Sequence, residues 1–206
     1  MGDVLAWIRE VAARVQAQQG YLTELDSPIG DADHGANMNR GFKAVLQKLE
    51  ESPPADITAA FRTVAMTLIG KVGGASGPLY GTMFIEMSKA TTGKDTLDAA
   101  AWADTLRAGI DGVRARGKAE QGDKTMIDAL EPAHAALVEA VQANAGLGKA
   151  LQRSASAAAE GMEATIPLVA RKGRASYLGD RSAGHQDPGA TSSHLILEAA
   201  ADVWGD

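Results

Sequence analysis

Three aspartates, Asp26, Asp31 and Asp33, fall within eight consecutive positions of the run Leu25-Asp26-Ser27-Pro28-Ile29-Gly30-Asp31-Ala32-Asp33-His34-Gly35. On a continuous helix Asp31 would point about 140° away from Asp26. Pro28 and Gly30 disfavour such a helix. A turn in its place lets the three carboxylates converge. Converging carboxylates repel unless a cation joins them. Magnesium accepts a few protein carboxylates and completes its octahedron with waters and substrate phosphates. A calcium EF-hand fails on detail. From Asp31 the glycine comes one residue early, and the position that needs glutamate is Phe42. The alternative is that these aspartates cap the helix beginning near His34. One aspartate suffices for a cap. His34 either contacts metal or phosphate or orients the loop. Asn37 lies one turn further on.

A second segment, Lys71-Val72-Gly73-Gly74-Ala75-Ser76-Gly77-Pro78, is a glycine-rich turn that opens a helix. Small residues let backbone N–H groups approach an anion, and a helix N-terminus favours negative charge. A tight interhelical turn also wants glycine. A third segment, Arg171 to Arg181, carries four cations, Arg171, Lys172, Arg174 and Arg181. Its continuation to Gly189 is turn chemistry. A basic, glycine-hinged loop beside an acidic metal site suits a metal–polyphosphate complex, because arginine meets phosphoryl oxygens with two prongs. A solvated surface loop is the plainer reading. Gly112 to Lys118 spells most of a Walker A motif but lacks the final Ser or Thr and falls at a helix end. It is rejected, and no Gly-x-Gly-x-x-Gly is present.

Helices must position these segments. Val4, Ile8, Val11 and Val15 fall at helical spacing, and Tyr21 to Leu25 extends or restarts that helix. Further helices are expected from about His34 to Leu49, from an Asp56 cap to near Leu68, and from Pro78 to about Lys89. The fifth is capped by Asp95 or Thr96 and runs to about Arg116. The sixth runs from Thr125 to about Asn144, the seventh from Leu147 to about Ala170, and the eighth from about Ala190 to Val203. Arg171 to Gly189 shows no periodicity, and a loop that long inside a domain is usually functional.

Composition agrees with helices. The 206 residues include 40 alanines but only nine aromatics, and alanine is the best helix former while strands favour aromatic and β-branched residues. The expected fold class is all-α, as a single domain over residues 1–206, with short connections that make neighbouring helices antiparallel. The absence of cysteine excludes a thiolate nucleophile and Cys-ligated metals. A net charge of −6 argues against nucleic-acid binding, which needs a broad basic surface. No apolar run of about 18 residues suggests a membrane span. The N-terminus reads as neither a signal peptide nor a myristoylation site, so the expected location is the cytoplasm.

Three separated motifs, Gly30-Asp31-Ala32-Asp33-His34-Gly35, Gly73 to Gly81 and Gly173-Arg174-Ala175-Ser176-Tyr177, occur in one order. Together they resemble the DhaL family, the nucleotide-binding subunits of dihydroxyacetone kinase, over essentially the whole chain. The resemblance implies an antiparallel eight-helix barrel with the nucleotide site at one rim. It implies that Asp26, Asp31 and Asp33 hold two Mg2+ ions against the phosphates of ADP or ATP. It carries nucleotide contacts onto His34, Ala36 and Asn37, with Gly35 in the same run, and onto Ala75 and Ser76. Gly117 and Met126 match positions near the base. Arg174 matches a phosphate contact that balances developing charge. Asp187 and Gly189, with Pro188 between them, match the closing loop.

The implied reaction is phosphoryl transfer to dihydroxyacetone held covalently by a separate subunit of the DhaK type. In the phosphotransferase-linked form ADP stays bound and is rephosphorylated by a DhaM-type subunit. Two other readings stay open: an ATP-dependent kinase subunit for dihydroxyacetone or a related keto-sugar, and a nucleotide-state sensor that binds a transcription regulator.

Overall fold

The computed structural model describes residues 1–204. The last two residues of the expected domain lie outside the described residues. The described chain holds nine α-helices and one 3-10 helix, with no strand among the described residues. The helices are α1 (Gly2–Ala17), α2 (Gln19–Asp26), α3 (His34–Glu51), α4 (Ile57–Lys71), α5 (Ser76–Ala90), α6 (Ala99–Gly117), α7 (Ile127–Gln142), α8 (Leu147–Glu163) and α9 (Pro188–Trp204). The 3-10 segment spans Arg174–Ser182 and is broken by a kink at Gly179, whose φ is +55° and ψ −133°.

Eight of these helices close a ring. Helix α1 packs on α3, and each of α4 to α9 packs on the one before it. Helix α9 returns to α1 and closes the barrel. Short α2 lies outside the ring order, against α3 and α9. The seam between α1 and α9 is pinned by Arg14, whose guanidinium bonds Glu10 at 2.8 Å, Glu198 at 2.5 Å and Asp202. Arg107 and Glu131 similarly join α6 to α7 at 2.9 Å.

The sparse aromatics are concentrated. Trp7, Phe61, Phe84, Trp102 and Trp204 form one cluster inside the barrel, with Trp102 edge-on to Trp204 at 4.9 Å and Trp7 edge-on to Trp102 at 5.3 Å. These edge-on contacts suit the ring quadrupoles. The Trp7 indole N–H donates to the Ile196 carbonyl at 2.9 Å. Since Phe61 and Trp102 begin their helices and Trp204 ends its own, the cluster fills one end of the barrel. The other end holds the cleft described below.

Alanine and glycine govern helix approach elsewhere. Residue 132 is proline, so the Asp128 carbonyl has no amide N–H four residues on. Gly161 of α8 faces that carbonyl, and a Cβ there would lie 2.1 Å from the Asp128 oxygen. Only glycine permits the crossing.

Four expectations change in detail. The first helix ends at Ala17, and Gln18, with φ −96° and ψ 9°, separates it from α2. The fifth expected helix is capped by Asp98, which accepts from the Ala101 N–H at 2.8 Å, not by Asp95 or Thr96. The seventh stops at Glu163 rather than Ala170. Pro167 is the cause, because its ring clashes with the carbonyl four residues back and it brings no N–H. The stretch read as aperiodic, Arg171 to Gly189, contains the 3-10 helix, whose three-residue turn escapes a search for the α-helical period. The Asp56 cap is present, accepting from the Ala59 N–H at 2.7 Å.

Candidate functional site

The acidic run leaves α2 at Asp26 and enters α3 at His34. Asp26 is buried. Its Oδ2 accepts the backbone N–H groups of Asp33 at 2.9 Å and His34 at 3.2 Å. Asp26 therefore caps α3 from eight residues upstream, while Asp33, in the cap position itself, makes no such bond. The return of the chain over Asp26 requires Gly30, because a Cβ there would lie 1.9 Å from Asp26 Oδ1. Ala32 takes a φ of +57°, a conformation costly for a residue with a Cβ. That bend brings the neighbouring Asp31 and Asp33 round. Asp26, Asp31 and Asp33 can each offer one carboxylate oxygen with all three atoms within 4.8 Å of one another. Capping and convergence are thus both present, and Asp26 does both. Hard oxygen donors this close, two of them partly open to solvent, fit a magnesium ion.

A cleft opens beside these acids. Its walls include Asp26, Asp31, Asp33, His34, Gly73, Gly74, Ala75, Ser76, Thr125, Met126, Arg174 and Asp187 to Gly189. Asp26, Asp31 and Arg174 apart, these residues lie at the starts of α3, α5, α7 and α9, alternate members of the ring. Four helix N-termini therefore face one cleft, as an antiparallel barrel demands. Each carries a fractional positive charge and unpaired N–H groups. Anions are favoured there, directly against a site for cations.

Buried hydroxyls and one imidazole fix three of those helix starts to each other. His34 Nδ1 meets Ser76 Oγ at 3.1 Å, and Nε2 meets Ser192 Oγ at 2.9 Å. Ser192 Oγ is 2.7 Å from the Tyr80 hydroxyl, which also reaches Ser193 Oγ at 2.9 Å and donates to the Gly189 carbonyl at 3.1 Å. Burial holds the His34 pKa below the ordinary histidine value, against the raising effect of Asp26 and Asp33. Burial likewise pushes the Tyr80 phenol up to about 12. Asp187 Oδ2 accepts the Ala190 N–H at 2.7 Å and caps α9. Burial pushes its carboxyl up to about 7.

Arg174, at the start of the 3-10 helix, reaches across to Asp31 at 2.9 Å. Both side chains are partly exposed, so the pair is worth at most about 1 kcal/mol and opens readily to another anion. Lys172, Gly173 and Ala175 line the cleft beside it, and Ile29, Leu79, Met126 and Pro188 give it an apolar wall.

The cleft thus gathers eleven expected residues, Asp26, Asp31, Asp33, His34, Ala75, Ser76, Met126, Arg174, Asp187, Pro188 and Gly189. Gly35, Ala36, Asn37 and Gly117 do not line it. Gly35 packs on the Gln19 carbonyl of α2. Ala36 is exposed on α3. Asn37 is buried beside Gly73, and its Oδ1 accepts from Arg40. Gly117 ends α6 behind Leu79, whose Cδ2 would lie 3.2 Å from a Cβ there.

The structure adds Tyr80, Leu79, Lys124, Thr125 and Ile29, and it places Lys172 of the basic loop at the cleft. Tyr80 stands four residues after Ser76, so helical spacing alone aims it at the same face. Lys124 carries no such signal, because a loop residue at φ +62° has no periodicity to read.

Comparison with known proteins agrees with this geometry. The DAK2 domain family matches residues 28–202. The chain is 45% identical over 199 residues to "PEP-dependent dihydroxyacetone kinase, ADP-binding subunit DhaL" of Escherichia coli (strain K12), covering 97% of this chain and 95% of that protein. It is 46% identical over 195 residues to "PEP-dependent dihydroxyacetone kinase 1, ADP-binding subunit DhaL" of Listeria innocua, covering 95% of this chain and 92% of that one. The crystal structure of the dihydroxyacetone kinase from C. freundii in complex with AMP-PNP and Mg2+ matches with a TM-score of 0.76 at 25% identity, over 98% of this chain and 34% of that one.

Proposed function

We propose that this chain, which belongs to the DAK2 domain family, is the nucleotide-binding subunit of a dihydroxyacetone kinase. It hands a phosphoryl group from magnesium-bound nucleotide to dihydroxyacetone carried by a partner subunit of the DhaK type. One observation carries the reading: three convergent carboxylates stand beside four helix N-termini around a single cleft. A cation site against an anion site is the requirement of a metal–polyphosphate complex. The names of the similar bacterial subunits support the assignment of ADP and of a phosphoenolpyruvate-dependent donor. The donor is then a DhaM-type subunit that rephosphorylates retained ADP.

The residues divide the work. Asp26, Asp31 and Asp33 would hold two Mg2+ ions, which would neutralise phosphate charge. Backbone N–H groups at Ala75 and Ser76 cradle phosphate oxygens. Arg174 exchanges Asp31 for the phosphoryl group in transfer and balances its charge. Met126 and Leu79 give the base an apolar wall. Asp187 to Gly189 close the cleft from α9. A general base from this chain is unnecessary, since the acceptor arrives on the partner and transfer depends on positioning and electrostatics.

Retention tests the cofactor role. The purified chain is desalted repeatedly with magnesium present, then denatured, and the released nucleotide is identified. Near-stoichiometric ADP is expected. An empty site that refills and empties within each cycle would overturn the retained-cofactor reading.

A further inference from the structure

Lys124 lies in the loop before α7, and its side chain is 1% exposed. A charged group that deep must be paired. Its Nζ donates to the Thr165 carbonyl at 2.7 Å, to the Ile166 carbonyl at 3.4 Å and to the His185 carbonyl. Three carbonyl oxygens match the three N–H donors of an ammonium. They belong to two separate segments, the end of the α8 region and the loop that leads into α9. The backbone at residue 124 is left-handed, with φ +62°.

Other bonds converge on the same knot. The Asp187 N–H donates to Thr165 Oγ1 at 3.0 Å, the Gly184 N–H donates to the Ile166 carbonyl at 2.7 Å, and the Arg171 N–H donates to the Asp123 carbonyl at 3.0 Å. Lys124 is followed at once by Thr125 and Met126, and His185 precedes Asp187, Pro188 and Gly189 by a few residues. All five of those residues line the cleft. The ammonium therefore ties together two of the four helix starts around it.

We propose that Lys124 is a positioning residue for nucleotide binding, whose buried ammonium sets the start of α9 against the start of α7. The proposal rests on the reading of the cleft as a nucleotide site. A hydrophobic side chain of the same length fills the same space but takes one donor from each carbonyl and leaves that of His185 with none, while the Thr165 and Ile166 carbonyls keep the N–H groups of Leu168 and Gly184. The fold, held mainly by the aromatic cluster and the ring of helices, survives that change. The closing segment 185–189 loses the tie at His185 and keeps the one from the Asp187 N–H to Thr165 Oγ1.

The test separates charge from packing. Lys124→Met is expected to keep the helical circular dichroism of the parent and to bind Mg-ADP about tenfold more weakly or worse, the loss typical of charged hydrogen bonds. Because the chain has no cysteine, Lys124→Cys can be alkylated at one place in denaturant and refolded beside parent protein taken through the same cycle. Aminoethylation restores an ammonium at the original length, whereas propylation gives its neutral counterpart. The aminoethyl form is expected to bind Mg-ADP within about threefold of the parent and the propyl form not to. Equal binding by the two forms, or parent-like binding by Lys124→Met, would overturn the proposal. Amide exchange at residues 184–190, measured without nucleotide, is expected to quicken in Lys124→Met. Unchanged exchange there would overturn the tie itself. A parent that binds no Mg-ADP while exchange still quickens would locate the failure in the nucleotide reading instead.

Discussion

An Asp33→Asn variant is expected to bind Mg-ADP about a hundredfold more weakly than the parent, with its helical content unchanged. Of the three acids, Asp33 gives the cleanest result. Asp26 also caps α3 through the N–H groups of residues 33 and 34, so its amide would disturb the loop as well as the metal. Asp31 is paired with Arg174, so its amide would free a cation for the phosphate and mask part of the loss. Asp33 is partly exposed and makes no cap bond of its own. Its neutralisation removes one full negative charge facing the ion and little else. Partners that merely orient metal ligands cost about 10–100-fold in affinity when mutated, and a direct ligand belongs at the upper end or beyond. Isothermal titration of Mg-ADP into both proteins, after bound nucleotide has been removed with chelator, measures the difference. Equal affinities would mean that the three carboxylates are a loop-building device and not a metal site.

The second large effect is thermal. A ligand bound only by the folded chain stabilises it by RT ln(1 + [L]/Kd), or about 2.7 kcal/mol at a hundredfold excess over Kd. For a chain of this size each kcal/mol moves Tm by about 2–4 °C. Saturating Mg-ADP should therefore raise the melting temperature by roughly 5–11 °C. The same nucleotide with excess chelator should raise it far less, because the phosphates then meet the three carboxylates without an intervening cation. Differential scanning calorimetry with and without chelator reads the comparison. Equal midpoints would separate nucleotide binding from the acids and undo the linked site.

Particular residues explain what the sequence disclosed and what it hid. The acid triad was legible because Pro28 and Gly30 forbid the helix that would have kept the carboxylates apart. That Asp26 also caps α3 was not legible, since an eight-residue return depends on the Ala32 bend. The helices were legible in the apolar spacing, but their ring was implied only by the family resemblance, and its closure by α9 on α1 depends on contacts such as Arg14 to Glu198 that join opposite ends of the chain. The seventh helix was expected to run on to Ala170 because Ile166, Leu168 and Val169 keep an apolar character. Pro167 outweighs that pattern. Asn37 shares a helix face with the site by spacing, and it stands against Gly73 of the cleft wall while its Oδ1 accepts from Arg40. Lys124 was hidden most completely, because its three acceptors are backbone carbonyls about 40 and 60 residues away, and carbonyls have no residue type to recognise.

In the proposed function the cleft delivers a phosphoryl group to a substrate held elsewhere. Its most direct measurement mixes the chain, loaded with Mg-ATP and freed of excess nucleotide, with the dihydroxyacetone-binding subunit of its kinase, and follows the products by phosphorus NMR. The account predicts about one dihydroxyacetone phosphate formed per loaded chain, with ADP left on the chain. It predicts no product from either protein alone. Product from the chain and free dihydroxyacetone without the partner, or no product from the mixture while the nucleotide stays bound as ATP, would contradict it.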